Sequence, residues 1–223
     1  MLDSLILWFG AVLAGGGLIV APWRRRGILV ALGGAAMMAI ALLLPVREKR
    51  ATAHAMKLDD IMPVWQFGEV HEAHVDAPPD VVYRAIRDVR ANEITLFNLL
   101  TGIRRGFRNT RASILNASNQ RPLLDIATQS SFRYLADEPP REIVIGTRIA
   151  PTVDATMNFF VTPDGRGGSN VVTETRVHAT SARGIRGFKI YWRVIHPGSD
   201  IIRRMWLRAV KKRAESQLVR VRT

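Results

Sequence analysis

The 223-residue chain has no cysteine. That excludes disulfides, thiolate nucleophiles and zinc sites built on cysteine. It leaves the redox compartment open, because a cysteine-free domain suits either side of a membrane. Acidic residues are scarce beside basic ones, 19 against 32, and the net charge is +13. Charge of this size favours solubility and draws the chain toward anionic surfaces. On anionic headgroups each juxtamembrane Lys or Arg contributes about 1 kcal/mol. No helix-turn-helix, RNA-recognition or zinc motif accompanies the charge, so no nucleic-acid partner is expected.

Catalytic signatures are missing too. There is no Ser-His-Asp arrangement, nucleophile elbow, phosphate loop or dinucleotide fingerprint. Gly165-Arg166-Gly167-Gly168 lies between two strand-like segments and reads as a turn rather than a phosphate cradle. The five histidines are dispersed, and period-two spacing sends His71 and His74 to opposite faces of one strand. No metal site and no cofactor is expected. Asn116-Ala117-Ser118 fits a glycosylation sequon, a match common by chance.

What the chain does have is two long apolar runs, Leu2 to Ala21 and Gly27 to Val46. About twenty residues is the length needed to cross a bilayer core. Pro22, Trp23 and Arg24 to Arg26 separate them and suit an interface. Asp3 stands where a signal peptide needs positive charge. Small residues (Gly10, Ala14, Gly15, Gly16 and Gly17, then Ala31, Gly33, Gly34, Ala35 and Ala36) allow two helices to pack closely. The expectation is a two-pass hairpin over 1–46 in the cell membrane. Arg47, Lys49, Arg50 and Lys57, with the N-terminal amine, outweigh the loop arginines, which tips the soluble part toward the cytoplasmic side.

Residues 47–66 read as a basic linker. Phe67 to Val75 alternates like a strand, with Phe67, Glu69, His71, Ala73 and Val75 on one face. Asp76-Ala77-Pro78-Pro79-Asp80 leads into a helix with Val81, Val82, Ala85 and Ile86 inward. A second helix is predicted over Ala91 to Arg104. The segment Gly106 to Gln120 reads as strand or loop, and Pro122 to Ser130 as a short helix. Strands follow over Phe132–Leu135, Glu142–Ile149, Thr156–Thr162 and Asn170–Thr180.

The run Phe188 to Glu215 carries apolar residues at i, i+3, i+4 and i+7: Phe188, Tyr191, Trp192 and Ile195, then Ile201, Ile202, Met205, Trp206, Ala209 and Val210. Arg203, Arg204, Arg208, Lys211, Lys212 and Arg213 fall mostly on the other face. Pro197-Gly198 predicts an interruption, with Ser199 capping the restart. Strand runs closed by a long helix argue for an α+β domain with an antiparallel sheet wrapped on that helix. The domain is placed at 67–217, with a tail over 218–223.

This order, with the segments EVHEAHVDAPPDVVYRAIRDV, LADEPPREIVIG, TETRVHAT and YWRVIHPGSDIIRRMWLRAVKKRAE, resembles the START-like or SRPBCC superfamily. Within it, the similarity is to proteins called polyketide cyclase/dehydrase or lipid-transport-like. The resemblance covers Phe67 to Glu215 and implies the helix-grip fold, with a cavity between curved sheet and C-terminal helix. It implies binding of lipids, sterols, polyketides or other apolar molecules, with catalysis in a minority of members. Five strands are legible here against the family's usual seven, and the hairpin lies outside the basic domain.

A cavity so placed would be lined by Leu96, Phe97, Leu100, Phe132, Tyr134, Phe159, Tyr191, Trp192 and Met205. Glu69 with His71, and Glu174 with Arg176 and His178, are the polar groups on the first and last strands, and Glu93 lies on the second helix. These could meet and orient a ligand's polar head through Arg176, or supply acid–base chemistry through His71, Glu69, Glu93 or Glu174. The expected function is therefore a membrane-anchored domain binding an apolar small molecule, with membrane lipids as partners. A cyclase or dehydratase using His71 or a nearby carboxylate, and a non-catalytic membrane scaffold, are the alternatives. Nothing in the sequence fixes the oligomeric state.

Overall fold

The computed structural model describes residues 2–23, 25–106 and 113–222, with side chains as far as 218. Arg24 of the predicted loop and residues 107–112 of the predicted strand or loop lie outside the described residues. The chain forms two units: residues 1–47 with 181–199, and residues 48–180 with 200–223.

The first unit is built on helices α1 (Leu2–Val20) and α2 (Arg26–Leu43). Both are long and apolar enough to cross a membrane. They approach backbone to backbone because glycine faces the partner. A Cβ on Gly17 would lie 2.4 Å from Ala31 N, and one on Gly34 would lie 2.4 Å from Ala14 N. The small residues of the sequence thus set the interhelical distance. The long helix α7 (Ala182–Arg222) contributes its first part to this unit. Arg193, 1% exposed, donates to Asp3 Oδ2 at 2.8 Å and to the carbonyls of Leu42 and Leu44 at 3.1 and 2.9 Å. One guanidinium thereby joins the start of α1 to the end of α2, satisfying carbonyls that a helix end leaves without partners.

Pro197 does not break α7, which runs through it, so Ser199 caps no restart. Proline cannot donate to the carbonyl four residues back. One turn away, the Val194 carbonyl accepts a hydrogen bond from Trp8 Nε1 at 3.2 Å.

The second unit is α+β. Its antiparallel sheet is built from β3 (Phe67–Val75), β4 (Arg133–Glu138), β5 (Glu142–Ala150), β6 (Val153–Pro163) and β7 (Ser169–Ala179). Their order across it is β3-β7-β6-β5-β4. Asp164 Oδ1 accepts from Arg166 N and Gly168 N and closes the turn between β6 and β7. Gly165 and Gly167 there have φ of 77° and 96°, which glycine adopts without strain.

One sheet face carries Val75, Ile143, Ile145, Met157, Phe159, Val161 and Val171. These pack with Trp206, Leu207, Ala209 and Val210 of α7, and Phe159 meets Trp206 edge-on at 5.1 Å. Helix α4 (Pro79–Asp88), with Pro79 in its first turn, adds Val82, Ala85 and Ile86 to the core, and α6 (Leu123–Ser130) adds Leu123 and Leu124. This is the sheet-on-helix arrangement that the sequence implied. The predicted helix over 91–104 is two pieces: a 3-10 turn, Ala91–Glu93, and α5 (Phe97–Arg104). Leu96 between them has φ of 62°, a left-handed conformation that ends one piece before the next begins.

Residues 48–66 are more than a connector. They form β1 (Lys49–Arg50), α3 (Lys57–Ile61) and β2 (Val64–Trp65), with β1 pairing antiparallel to β2. Leu58, Asp59, Met62 and Trp65 are buried, so the segment belongs to the folded unit.

Candidate functional site

Strand register decides which polar groups meet. Glu69 pairs with Thr175 and His71 with Thr173, whereas Gly68 pairs with Arg176 and Val70 with Glu174. Directly paired residues share a face. So Glu69 and His71 lie on the face toward α7, and Glu174, Arg176 and His178 lie on the other. The first and last strands are neighbours as expected, but a one-residue offset separates the two sets.

The outer set is part of a network closed by residues 55–66. Arg176 donates through Nε and Nη2 to both Glu174 oxygens, at 2.8 and 2.9 Å. Nη2 also reaches Asp59 Oδ1 at 2.7 Å, and Nη1 reaches the carbonyls of Met62 and Leu58 at 3.0 and 3.4 Å. Its guanidinium lies 3.9 Å from the Trp65 ring centre. All the donors of an arginine are thus used within the protein. Glu142, 1% exposed, accepts from Lys57 N, Leu58 N and Asn158 Nδ2. Burial pushes the Arg176 pKa down, but its bonds to Glu174 and Asp59 hold it above the ordinary value.

The helix-side set is different. Glu69, His71 and Arg203 are buried, and Asp200 is half-buried. His71 Nε2 lies 3.8 Å from Glu69 Oε2 and 3.6 Å from Asp200 Oδ1. Arg203 Nε lies 3.9 Å from Glu69 Oε1, and its Nη atoms donate to the hydroxyls of Thr173 and Thr175. The guanidinium also sits 5.6 Å from the Trp206 ring centre. Helical periodicity had put Arg203 on the outward basic face; it points into the unit, where these acceptors wait. Burial pushes its pKa down to about 10, with Glu69 pulling the other way. Asp200 is held from the solvent side by Arg204, whose Nε donates at 2.8 Å.

The other predicted residues divide among several environments. Phe97 and Phe159 are in the core, with Phe132 and Met205 packed on it. Leu96 is about half exposed, and Leu100 is half-buried on α5. Tyr134 lies under the Arg87 guanidinium at 5.5 Å. Tyr191 and Trp192 belong to the first unit, where Trp192 stacks on Phe188 at 5.9 Å. Glu93 accepts from the backbone of Arg90 and from Arg213, a capping role. Arg213 is therefore half-buried, not on an outward face.

A groove of ≈1010 Å³ opens elsewhere in the second unit. It runs from Arg50 and Ile61–Val64 across Arg133, Leu135, Gly146, Arg148, Thr156 and His178. None of the nine residues expected to line a cavity, nor Arg176, borders it. Its lining alternates apolar side chains with three arginines. Ile61, Met62 and Val64, apolar residues within a stretch dismissed as linker, were the sequence signal for it. For the helix-side cluster the missing signal was Asp200, which lies 129 positions from His71 in the sequence.

No family model matches the sequence, and no curated protein does. Solved structures with some likeness include CalU16 from Micromonospora echinospora, at 16% identity over 80% of this chain and 98% of that one, with a TM-score of 0.31. MLL2253 from Mesorhizobium loti has 14% identity over 67% and 98%, at 0.34. A conserved protein from Geobacillus kaustophilus has 8% identity over 67% and 96%, at 0.37. Likeness at this level carries no argument about activity, and the fold stands on the sheet order and the closing helix.

Proposed function

We propose that this chain is a two-pass membrane protein whose helix-grip domain binds an apolar small molecule with a polar or anionic head, of the lipid or isoprenoid class. The observation that carries this reading is the groove. Its ≈1010 Å³ compares with about 300–1,000 Å³ for ordinary ligand pockets. Ile61, Met62, Val64 and Leu135 offer an apolar wall, and Arg50, Arg133 and Arg148 offer cations for a head group.

The membrane part of the reading is supported by outward-facing side chains. Leu5, Phe9, Val12, Leu18, Leu29, Leu32 and Leu43 of α1 and α2 are all more than half exposed. So continuous an apolar surface is stable in hydrocarbon and not in water. The arginine and lysine count favours a cytoplasmic domain.

The test is lipid extraction and mass spectrometry of the full chain purified in detergent, with two variants that fill space. Leu135→Trp blocks the groove and Met205→Trp crowds the sheet–helix side. Wild type and M205W should carry an apolar molecule that L135W lacks. Loss in M205W alone would move the site to the sheet–helix side, among Phe97, Leu100, Phe132 and Phe159. A folded protein that is always empty would leave only a membrane scaffold.

One observation favours a second reading, an enzyme of cyclase or dehydratase type. His71 and Glu69 are a buried base and acid pair beside Asp200, a composition suited to proton transfer.

A further inference from the structure

We infer that Glu69, His71 and Asp200 form a binding site for one divalent first-row metal ion. Their ligand atoms all lie within 4.8 Å of one another. The deciding observation is His71 Nε2, which is buried and has no hydrogen-bond partner among the described residues. Its two carboxylate neighbours stand at 3.6 and 3.8 Å. Hydrogen bonds between such atoms close to about 2.7–3.2 Å. Ligands at about 2.1 Å from a tetrahedral ion stand about 3.4 Å apart. The two histidine–carboxylate spacings are therefore too wide for a bridging proton and within a few tenths of an ångström of those around a bridging cation.

Arg203 stands behind Glu69, 3.9 Å from Oε1, while Oε2 faces His71. Its charge faces the far oxygen of that carboxylate without a hydrogen bond. Arg204 holds Asp200 through both oxygens, Nε to Oδ2 at 2.8 Å and Nη2 to Oδ1 at 3.3 Å, and Oδ1 is the oxygen nearest His71. One nitrogen and two oxygens suit Zn²⁺, Mn²⁺, Fe²⁺ or Co²⁺ better than Cu⁺, which prefers sulfur. Three protein ligands leave a coordination position for water or a ligand oxygen. Residues β3 supplies at period two, and the residue α7 supplies one turn before Arg203, converge here because the sheet and this part of the helix share one core.

The experiment uses the tag-free full chain in detergent, stripped with chelator and titrated with Co²⁺. One equivalent should bind, with visible d–d absorption of nitrogen and oxygen coordination, and Zn²⁺ should displace it. Asp200→Asn should weaken binding by more than about 100-fold, and His71→Gln should abolish the bands. Asp80→Asn, in an exposed pair with Arg84, should change nothing. Asp200 is the most accessible of the three ligands, so D200N decides the matter if H71Q does not fold. Absence of saturable Co²⁺ and Zn²⁺ binding at millimolar metal would overturn the site, and so would unchanged affinity in D200N. Neither result bears on the groove, whose occupancy is read separately by mass spectrometry.

Discussion

The sheet buries two arginines on opposite faces, and they behave in opposite ways. Arg176 has two carboxylates within hydrogen-bond distance, and its pKa is held above the ordinary arginine value. Arg203 has two neutral hydroxyls and a carboxylate only at 3.9 Å, and its pKa is pushed down to about 10. Burial opposes the charge in both. The difference lies in how completely each is answered by partners. A closed network such as the outer one is architecture: every group serves another. An incompletely answered one retains chemical capacity, and the helix side is where His71 Nε2 and Trp206 Nε1 are buried with no hydrogen-bond partner among the described residues.

Three measurements bear on that contrast. Arg176→Met should have the largest effect, because it leaves Glu174 and Asp59 buried without their cation. A loss of about 3–5 kcal/mol is expected in denaturant unfolding of the detergent-solubilised chain, followed by tryptophan fluorescence. Arg203→Met should cost less, about 1–2 kcal/mol, because the hydroxyls it loses are neutral and its own charge is poorly compensated. Equal losses in the two variants would show that the faces are held alike and would remove the distinction.

The smallest effect belongs to a pair at the rim. Asp137 accepts from Tyr83 and from Arg87, the latter at 2.6 Å. Partial burial pushes the Asp137 pKa up, but those hydrogen bonds and the Arg87 charge hold it below the ordinary range. A lowered carboxylate pKa stabilises the fold above the unfolded value of about 4, and that contribution disappears as pH falls through the lower folded value. Both side chains are more than a third exposed, so screening limits the term to about 1 kcal/mol or less. Asp137→Asn should therefore narrow the gap between melting temperatures at pH 7 and pH 3 only slightly. A larger change would place this rim pair among the buried networks.

Local pattern made most of the elements readable. Period two set β3 at Phe67–Val75, and Pro-rich punctuation set the start of α4. What the pattern could not supply was pairing register. Glu69 and Arg176 each sit on a correctly read strand, yet only the alignment of Gly68 with Arg176 tells that they face apart. Partners distant in sequence were equally hidden. Arg203 looks like one more outward cation until Thr173 and Thr175 lie beneath it, and Asp59 looks like a linker acid until Arg176 reaches it. Leu96 gave no warning of its left-handed turn, since leucine ordinarily favours the helix that was predicted there.

The guanidinium of Arg193 has a practical corollary for anyone cutting the gene. The Leu42 and Leu44 carbonyls receive a side chain translated about 150 residues later, and Asp3 one translated 190 residues later, so the hairpin stays unfinished until synthesis is nearly over. A fragment beginning at Glu48 would still carry Arg193, now without the Asp3 carboxylate and the Leu42 and Leu44 carbonyls that receive its guanidinium. Such a fragment should precipitate, and removing the two apolar helices is the wrong route to a soluble sample.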